Sequence, residues 1–264
     1  MHYRSFPLCV FSLVSLATIA CGQTTAINLT FANSSNRLQD TGSSGITFSS
    51  SGDNLTYSAG PGGTTAANFD GTTGLTASSS PISSAFTIAF WMNTTTPGAG
   101  ALGMGEDWYE GSGLVDGDLP TATQDWGVSL LGNNIALGIG GPDRTITSSS
   151  SVTNGTWVYV TATWDGSSQT ATLYIDGVEQ AQSTSVPGQN RITSDPFQVG
   201  HDPTVGNYYT GALADVQIYT TAFTAGEVES NYDLTAVPEP ATCALIAGVG
   251  ALGFAVWRRR PARA

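Results

Sequence analysis

Six carboxylates stand between residues 98 and 125: Glu106, Asp107, Glu110, Asp116, Asp118 and Asp125. Glycines are interleaved with them, and a glycine-rich backbone leaves its carbonyl oxygens open to approach. Carboxylates and carbonyls are the donors that a hard cation such as calcium gathers, six to eight at a time. Left unsolvated and unneutralised, six such charges repel one another. Calcium is therefore the expected cofactor, with Asp107, Asp116, Asp118 and Asp125 as candidate ligands. The spacing fits no EF-hand loop, so the match is one of composition. Trp108, Tyr109 and Trp126 lie in or beside the same segment and are the candidate ligand-binding residues. Aromatic rings beside polar groups can stack on a sugar, and they can equally fold a loop onto a sheet.

Catalysis is a poorer fit. Glycoside hydrolysis needs two carboxyl groups facing one another across the sugar. Glu106, Asp107 and Glu110 are spaced i, i+1, i+4, which would put the first two on opposite faces of a strand. A Ser-His-Asp triad would have to use His201, which beside Pro203 reads as a solvated histidine, and there is no nucleophile-elbow motif. No catalytic residue is assigned, and a non-enzyme is expected. Asp70, Asp165 and Asp176 each precede a glycine. Such pairs belong to turns, where Asp tolerates left-handed backbone and bonds its own main chain.

The elements that position these groups belong to a chain of 264 residues, 40% hydrophobic and only 11% charged. Acidic residues outnumber basic ones 20 to 8, for a net −12. Between residues 27 and 237 the imbalance is sharper, with three arginines against 19 acids and a net −16. Such a surface keeps an exported protein soluble and excludes nucleic acid, which needs a basic footprint. The three cysteines, Cys9, Cys21 and Cys243, all fall near the ends. The middle therefore holds itself together without disulfides.

Both ends read as addresses. Arg4 followed by a mainly apolar run over 8–20 has the form of a secretory signal within residues 1–26. Small residues at Ala20 and at 24–26 offer cleavage points. Ile19-Ala20-Cys21-Gly22 half-resembles a lipoprotein box, with Thr18 where that box has Leu. At the other end, Val237-Pro238-Glu239-Pro240 precedes seventeen uncharged residues and then Arg258-Arg259-Arg260. Seventeen residues make a helix of roughly 25 Å, the short limit for crossing a bilayer, and the arginines would hold its end in the cytoplasm. Residues 237–264 resemble a PEP-CTERM sorting signal. The resemblance implies processing by an exosortase near Pro238, Glu239 and Pro240 in a Gram-negative bacterium. The tail would be held transiently in the inner membrane, and the product would reach the envelope, the surface or the medium.

Short alternating runs separated by Gly, Asp, Asn and Ser predict strands over 27–31, 46–48, 54–57, 86–92, 127–131, 135–139, 157–164, 171–175, 197–199 and 212–219. Alternation over 157–164 puts Val158, Val160, Ala162 and Trp164 on one face and Trp157, Tyr159, Thr161 and Thr163 on the other. Trp91, Trp157 and Trp164 read as core. Thr224-Ala-Gly-Glu227 is a capping box that opens one short helix.

Four collinear motifs carry a family resemblance: Phe69-Asp70-Gly71 before 86–91; 157–166; Leu173-Tyr-Ile-Asp-Gly177; and 211–219 followed by 223–228. Together they resemble a LamG-like domain over 27–236, an all-β, two-sheet antiparallel jelly roll of the concanavalin A-like lectin/glucanase type. The resemblance implies binding of carbohydrate or protein, often with calcium. The expected function is a non-enzymatic surface or matrix module whose partner is extracellular polysaccharide or a surface protein. A structural envelope protein without a discrete ligand is the second reading, and a glycan-cleaving enzyme the third.

Overall fold

The computed structural model describes residues 23–52, 54–103, 107–119, 124–186 and 195–236. Its strands in chain order are β1 (Ile27–Leu29), β2 (Phe48–Ser50), β3 (Thr56–Ala59), β4 (Thr65–Asp70), β5 (Leu75–Ala77), β6 (Ala85–Asn93), β7 (Ser112–Asp116) and β8 (Trp126–Leu131). They continue with β9 (Asn134–Ile139), β10 (Arg144–Thr147), β11 (Val158–Asp165), β12 (Thr170–Ile175), β13 (Val178–Ser183), β14 (Gln198–Val199) and β15 (Thr210–Tyr219). The helix α1 spans Ala225–Thr235.

These strands form two antiparallel sheets. The first runs β13-β12-β11-β6-β15-β4-β3, with β1 also beside β15. The second runs β10-β9-β8-β7-β14-β5-β2. Sequence neighbours are often sheet neighbours, but β14 is inserted between β7 and β5, and β15 between β6 and β4. This is the jelly-roll sandwich expected.

Alternation decides what each sheet buries. In β11, Val158, Val160, Ala162 and Trp164 enter the core between the sheets, while Tyr159 turns to the outer face. On that face Trp91 and Tyr159 lie 5.0 Å apart, and α1 covers them. Tyr232 packs 5.9 Å from Trp91, and Asn231 Nδ2 donates to the Tyr159 hydroxyl at 2.9 Å. Of the three tryptophans read as core, only Trp164 lies between the sheets. Trp91 and Trp157 belong to this second, outer cluster. The helix begins at the expected capping box, where Thr224 and Glu227 bond each other's backbone.

Strands β4, β5, β7 and β10 escape the sequence pattern. Thr65-Ala-Ala-Asn-Phe-Asp70 and Ser112-Gly-Leu-Val-Asp116 are poor in β-branched residues, and Leu75-Thr-Ala77 is too short to show a period. Their neighbours hold them in place, which is how sheet context overrides weak propensity. The three Asp-Gly pairs serve turns as expected. Asp176 and Gly177 both have positive φ, 50° and 76°, between β12 and β13, and Asp165 Oδ1 accepts from the Ser167 backbone N–H at 2.9 Å.

Residues 23–26 are part of the sandwich. The Ala26 N–H donates to Ile218 O at 2.8 Å, and Thr25 O accepts from the Ser43 N–H at 3.0 Å. Gln23 bonds both Thr221 and Glu227. Among the described residues, no helix is long and apolar enough to cross a membrane. Pro238, Glu239, Pro240, Arg258, Arg259 and Arg260 lie outside the described residues, as do residues 1–22 of the segment 1–26 read as a secretory signal.

Candidate functional site

The acidic residues converge at one end of the second sheet. Asp116 closes β7, Asp118 follows it, Asp125 precedes β8, and Asp143 stands in the turn between β9 and β10. The fifth member, like Asp143, was not apparent in the sequence. Asp202 lies in the segment that crosses from β14 in the second sheet to β15 in the first. A β-bridge pairs His201 with Tyr208 at the base of that crossing. Their rings stack 4.9 Å apart at 10°. Gly113 lets this backbone approach closely, since a Cβ there would fall 2.5 Å from the His201 carbonyl and 2.6 Å from Asp202 N.

Each of two carboxylates is half used. Asp116 Oδ1 accepts from the Asp118 N–H at 2.8 Å. Asp202 Oδ1 accepts from the N–H groups of Thr204 and Val205 at 2.6 and 3.0 Å. Both residues are 0% exposed, and the Oδ2 of each has no partner. A buried, unpaired carboxylate oxygen is costly, and its resolution is a proton or a cation.

The electrostatics report the same crowding. Burial pushes the Asp116 carboxyl well above its usual range, and the charges of Asp202, Asp118 and Asp125 add to the push. Burial and the hydrogen-bonded carboxyl of Asp118 bring Asp125 up to about 7. Burial brings Asp202 up to about 6. Asp143 is raised by burial and by Asp107 and Asp118.

Asp107 stands apart from the pair. Its oxygens accept the hydroxyls of Thr145 and Tyr109, each at 3.2 Å. It also caps the 3-10 turn Trp108–Glu110, so its work is to hold that turn. Of the four expected ligands, the structure brings Asp116, Asp118 and Asp125 together and places Asp107 beyond them, beside Asp143. Among the described residues, no three His, Cys, Asp or Glu side chains converge as a ready-made metal set. A cation here would draw on the two free Oδ2 atoms and complete its shell with carbonyls or water. A hard-oxygen donor set of that kind suits calcium.

The expected aromatic platform is not presented to solvent. Trp108 is 0% exposed, and its indole lies across β8 and β9 over Gly127 and Gly138. Trp126 is buried in the main core, 5.8 Å from Phe86 and 5.7 Å from Phe197. Neither offers a face to a sugar. Tyr109 is half-buried at the rim, edge-on to Trp108. His201, expected to be solvated, is buried beneath Tyr208, and burial lowers its pKa. Asp202 escaped notice because it stands 77 residues beyond Asp125, and only the strand crossing brings it back.

Comparison with known proteins agrees with this fold. The chain resembles domain 4 of AbnA, a GH43 extracellular arabinanase from Geobacillus stearothermophilus seen in complex with arabinotriose. Identity is 19%, coverage 81% of this chain and 98% of that one, and the TM-score 0.61. It also resembles the binding domain of Paraclostridial Mosquitocidal Protein 1, with 18% identity, 79% and 52% coverage and a TM-score of 0.60. The binding domain of botulinum neurotoxin serotype G is similar at 18% identity, 80% and 51% coverage and a TM-score of 0.59. The chain thus spans about half the length of these toxin domains. No curated protein matches it. A PEP-CTERM protein-sorting motif matches residues 236–260 and marks an exported protein sorted to the cell envelope. The model of the concanavalin A-like lectin/glucanases superfamily matches residues 62–229, well over half the chain, and the protein belongs to that superfamily.

Proposed function

We propose that this protein is a non-enzymatic binding module of the bacterial envelope or extracellular matrix that recognises carbohydrate and holds calcium at its rim. An exosortase would release it from a transient anchor in the inner membrane of a Gram-negative cell. The binding reading is supported by the superfamily and by neighbours that are themselves binding domains, one of them seen with arabinotriose. The non-enzymatic reading is supported by burial, since Asp116, Asp118, Asp125 and Asp202 are each at most 5% exposed. Carboxylates so enclosed present no open pair across a sugar, the arrangement that glycoside hydrolysis uses.

The observation that carries the calcium is the pair of buried, unpartnered Oδ2 atoms on Asp116 and Asp202. Asp118 and Asp125 would complete the charge, and Tyr109 borders the site. Calorimetric titration of chelator-stripped protein tests this, followed by a glycan array with and without calcium. Saturable heat at one site and glycan binding are the expected results. An absence of calcium heat would remove the metal. An array blank under both conditions would favour the structural envelope protein without a discrete ligand.

A further inference from the structure

Away from the acidic rim, the outer face of the first sheet carries a cleft of about 350 Å³ whose lining, among the described residues, has no ionisable group. Asn68, Ala212 and Asn93 form its central row, paired across β4, β15 and β6. Their neighbours Ala67, Leu213 and Met92 point into the core, so alternation puts this row outside. Thr95, Thr210 and Gly211 complete the wall.

The cleft is pre-formed. The Thr94 hydroxyl donates to Thr210 O at 2.7 Å and accepts from the Thr96 N–H at 2.9 Å. Asn93 Nδ2 donates to Gly155 O at 3.0 Å, and Asn68 Oδ1 accepts from the Ser58 hydroxyl at 3.1 Å. From below, the buried Tyr209 hydroxyl donates to Asn93 O at 3.1 Å. These bonds fix both amides and leave Asn68 Nδ2 as a donor and Asn93 Oδ1 as an acceptor, with the small Ala212 between them. The half-buried Trp157 stands next in the row. Val158 pairs with Met92, so the residue before it falls beside Asn93.

We infer that this cleft binds an uncharged saccharide. Donor and acceptor amides beside hydroxyls match the paired hydroxyls of a sugar, whose orientation a few fixed polar groups in a small pocket can set. No cation in the lining favours a uronate or sulfate, and the net −16 of residues 27–237 repels one. The inference rests on the reading of the chain as a carbohydrate-binding module, and it places the sugar away from the rim.

The test is an array of neutral and anionic glycans probed with the exported protein and with Asn68→Ala, Thr210→Trp and Glu179→Gln variants. Thermal melts establish that each is folded. The expected result is binding to neutral glycans, weakened at least tenfold by Asn68→Ala and by Thr210→Trp and kept by Glu179→Gln, an exposed change on the edge strand β13. Neutral binding that survives both cleft variants would overturn the cleft and leave the carbohydrate reading standing. Binding confined to anionic glycans would overturn the inferred ligand class. No glycan binding at all would overturn the cleft and the carbohydrate reading together.

Discussion

Gly138 lies beneath the five-membered ring of Trp108, so close that a single methyl group there would overlap the indole. Gly127, its partner across β8 and β9, takes the six-membered ring in the same way. Two facing glycines thus cut a slot in the sheet, and the ring fills it. The slot holds the Asp107 turn beside the acidic rim. Gly138→Val should expel the ring and lower stability by about 1–3 kcal/mol, the usual range for overpacking. Urea denaturation measures the loss, and a red-shifted tryptophan emission should accompany it. Unchanged emission would place Trp108 elsewhere.

Calcium should raise the melting temperature. At a hundredfold excess over Kd, binding stabilises by about 2.7 kcal/mol, a rise of roughly 5–11 °C for a domain of this size. Magnesium at equal ionic strength controls for screening, because it demands tighter octahedral geometry and keeps its waters. The double variant Asp116→Asn, Asp202→Asn should lose the calcium-specific part. Equal shifts with both ions would leave only screening.

Without metal, stability should fall as pH rises from about 4 to about 7. Burial holds the pKa of Asp125 near 7 and that of Asp202 near 6, against about 3.9 in the unfolded chain. Between those values the folded state binds more protons than the unfolded one, so deprotonation favours unfolding. Melting temperatures in chelator should be several degrees higher at pH 5 than at pH 8. Calcium should narrow that gap by stabilising the charged form. A flat profile in chelator would mean that the carboxylates are solvated.

The mature chain should begin at or before Gln23. Cleavage within 24–26 would remove the Gln23 ties to Thr221 and Glu227, and cleavage after Ala26 would also remove the bonds of Thr25 and Ala26. Terminal sequencing of the secreted protein reads the start directly. A start at Ile27 would contradict the expectation.

Glu239→Ala should leave the tail attached in a host that has the sorting enzyme. The intact mass should then retain residues 241–264, while the unaltered protein loses them. Equal trimming of both proteins would show that the Pro-Glu-Pro motif is not what the protease reads.

Much of the architecture is legible in local patterns. Strand β11 shows both of its faces in eight residues, the Asp-Gly pairs mark turns, and Thr224 with Glu227 announces the helix. These signals are local because alternation, turn chemistry and caps act within a few residues. Strands such as β7 and β5 carry no such signal, since their neighbours stabilise them. The tail motif is legible without any fold, because it is a pattern of residue types alone: Pro-Glu-Pro, an uncharged run and then arginines.

The site was only half legible. Six acids in a glycine-rich segment raise the expectation of a cation, and composition alone carries that expectation. It could not say that Trp108 and Trp126 would turn inward, because the indole slot exists only once β8 pairs with β9 and opposes two glycines. Nor could it find Asp202, which reaches Asp116 only because β14 pairs with β7 across more than 80 residues of chain. The neutral cleft has the same origin. Asn68, Asn93 and Ala212 mean nothing apart, and antiparallel register alone sets them in one row. Sequence determined the class of fold, the sorting motif of the tail and the charge. Tertiary structure decided which carboxylates meet, because burial and proximity belong to the folded chain alone.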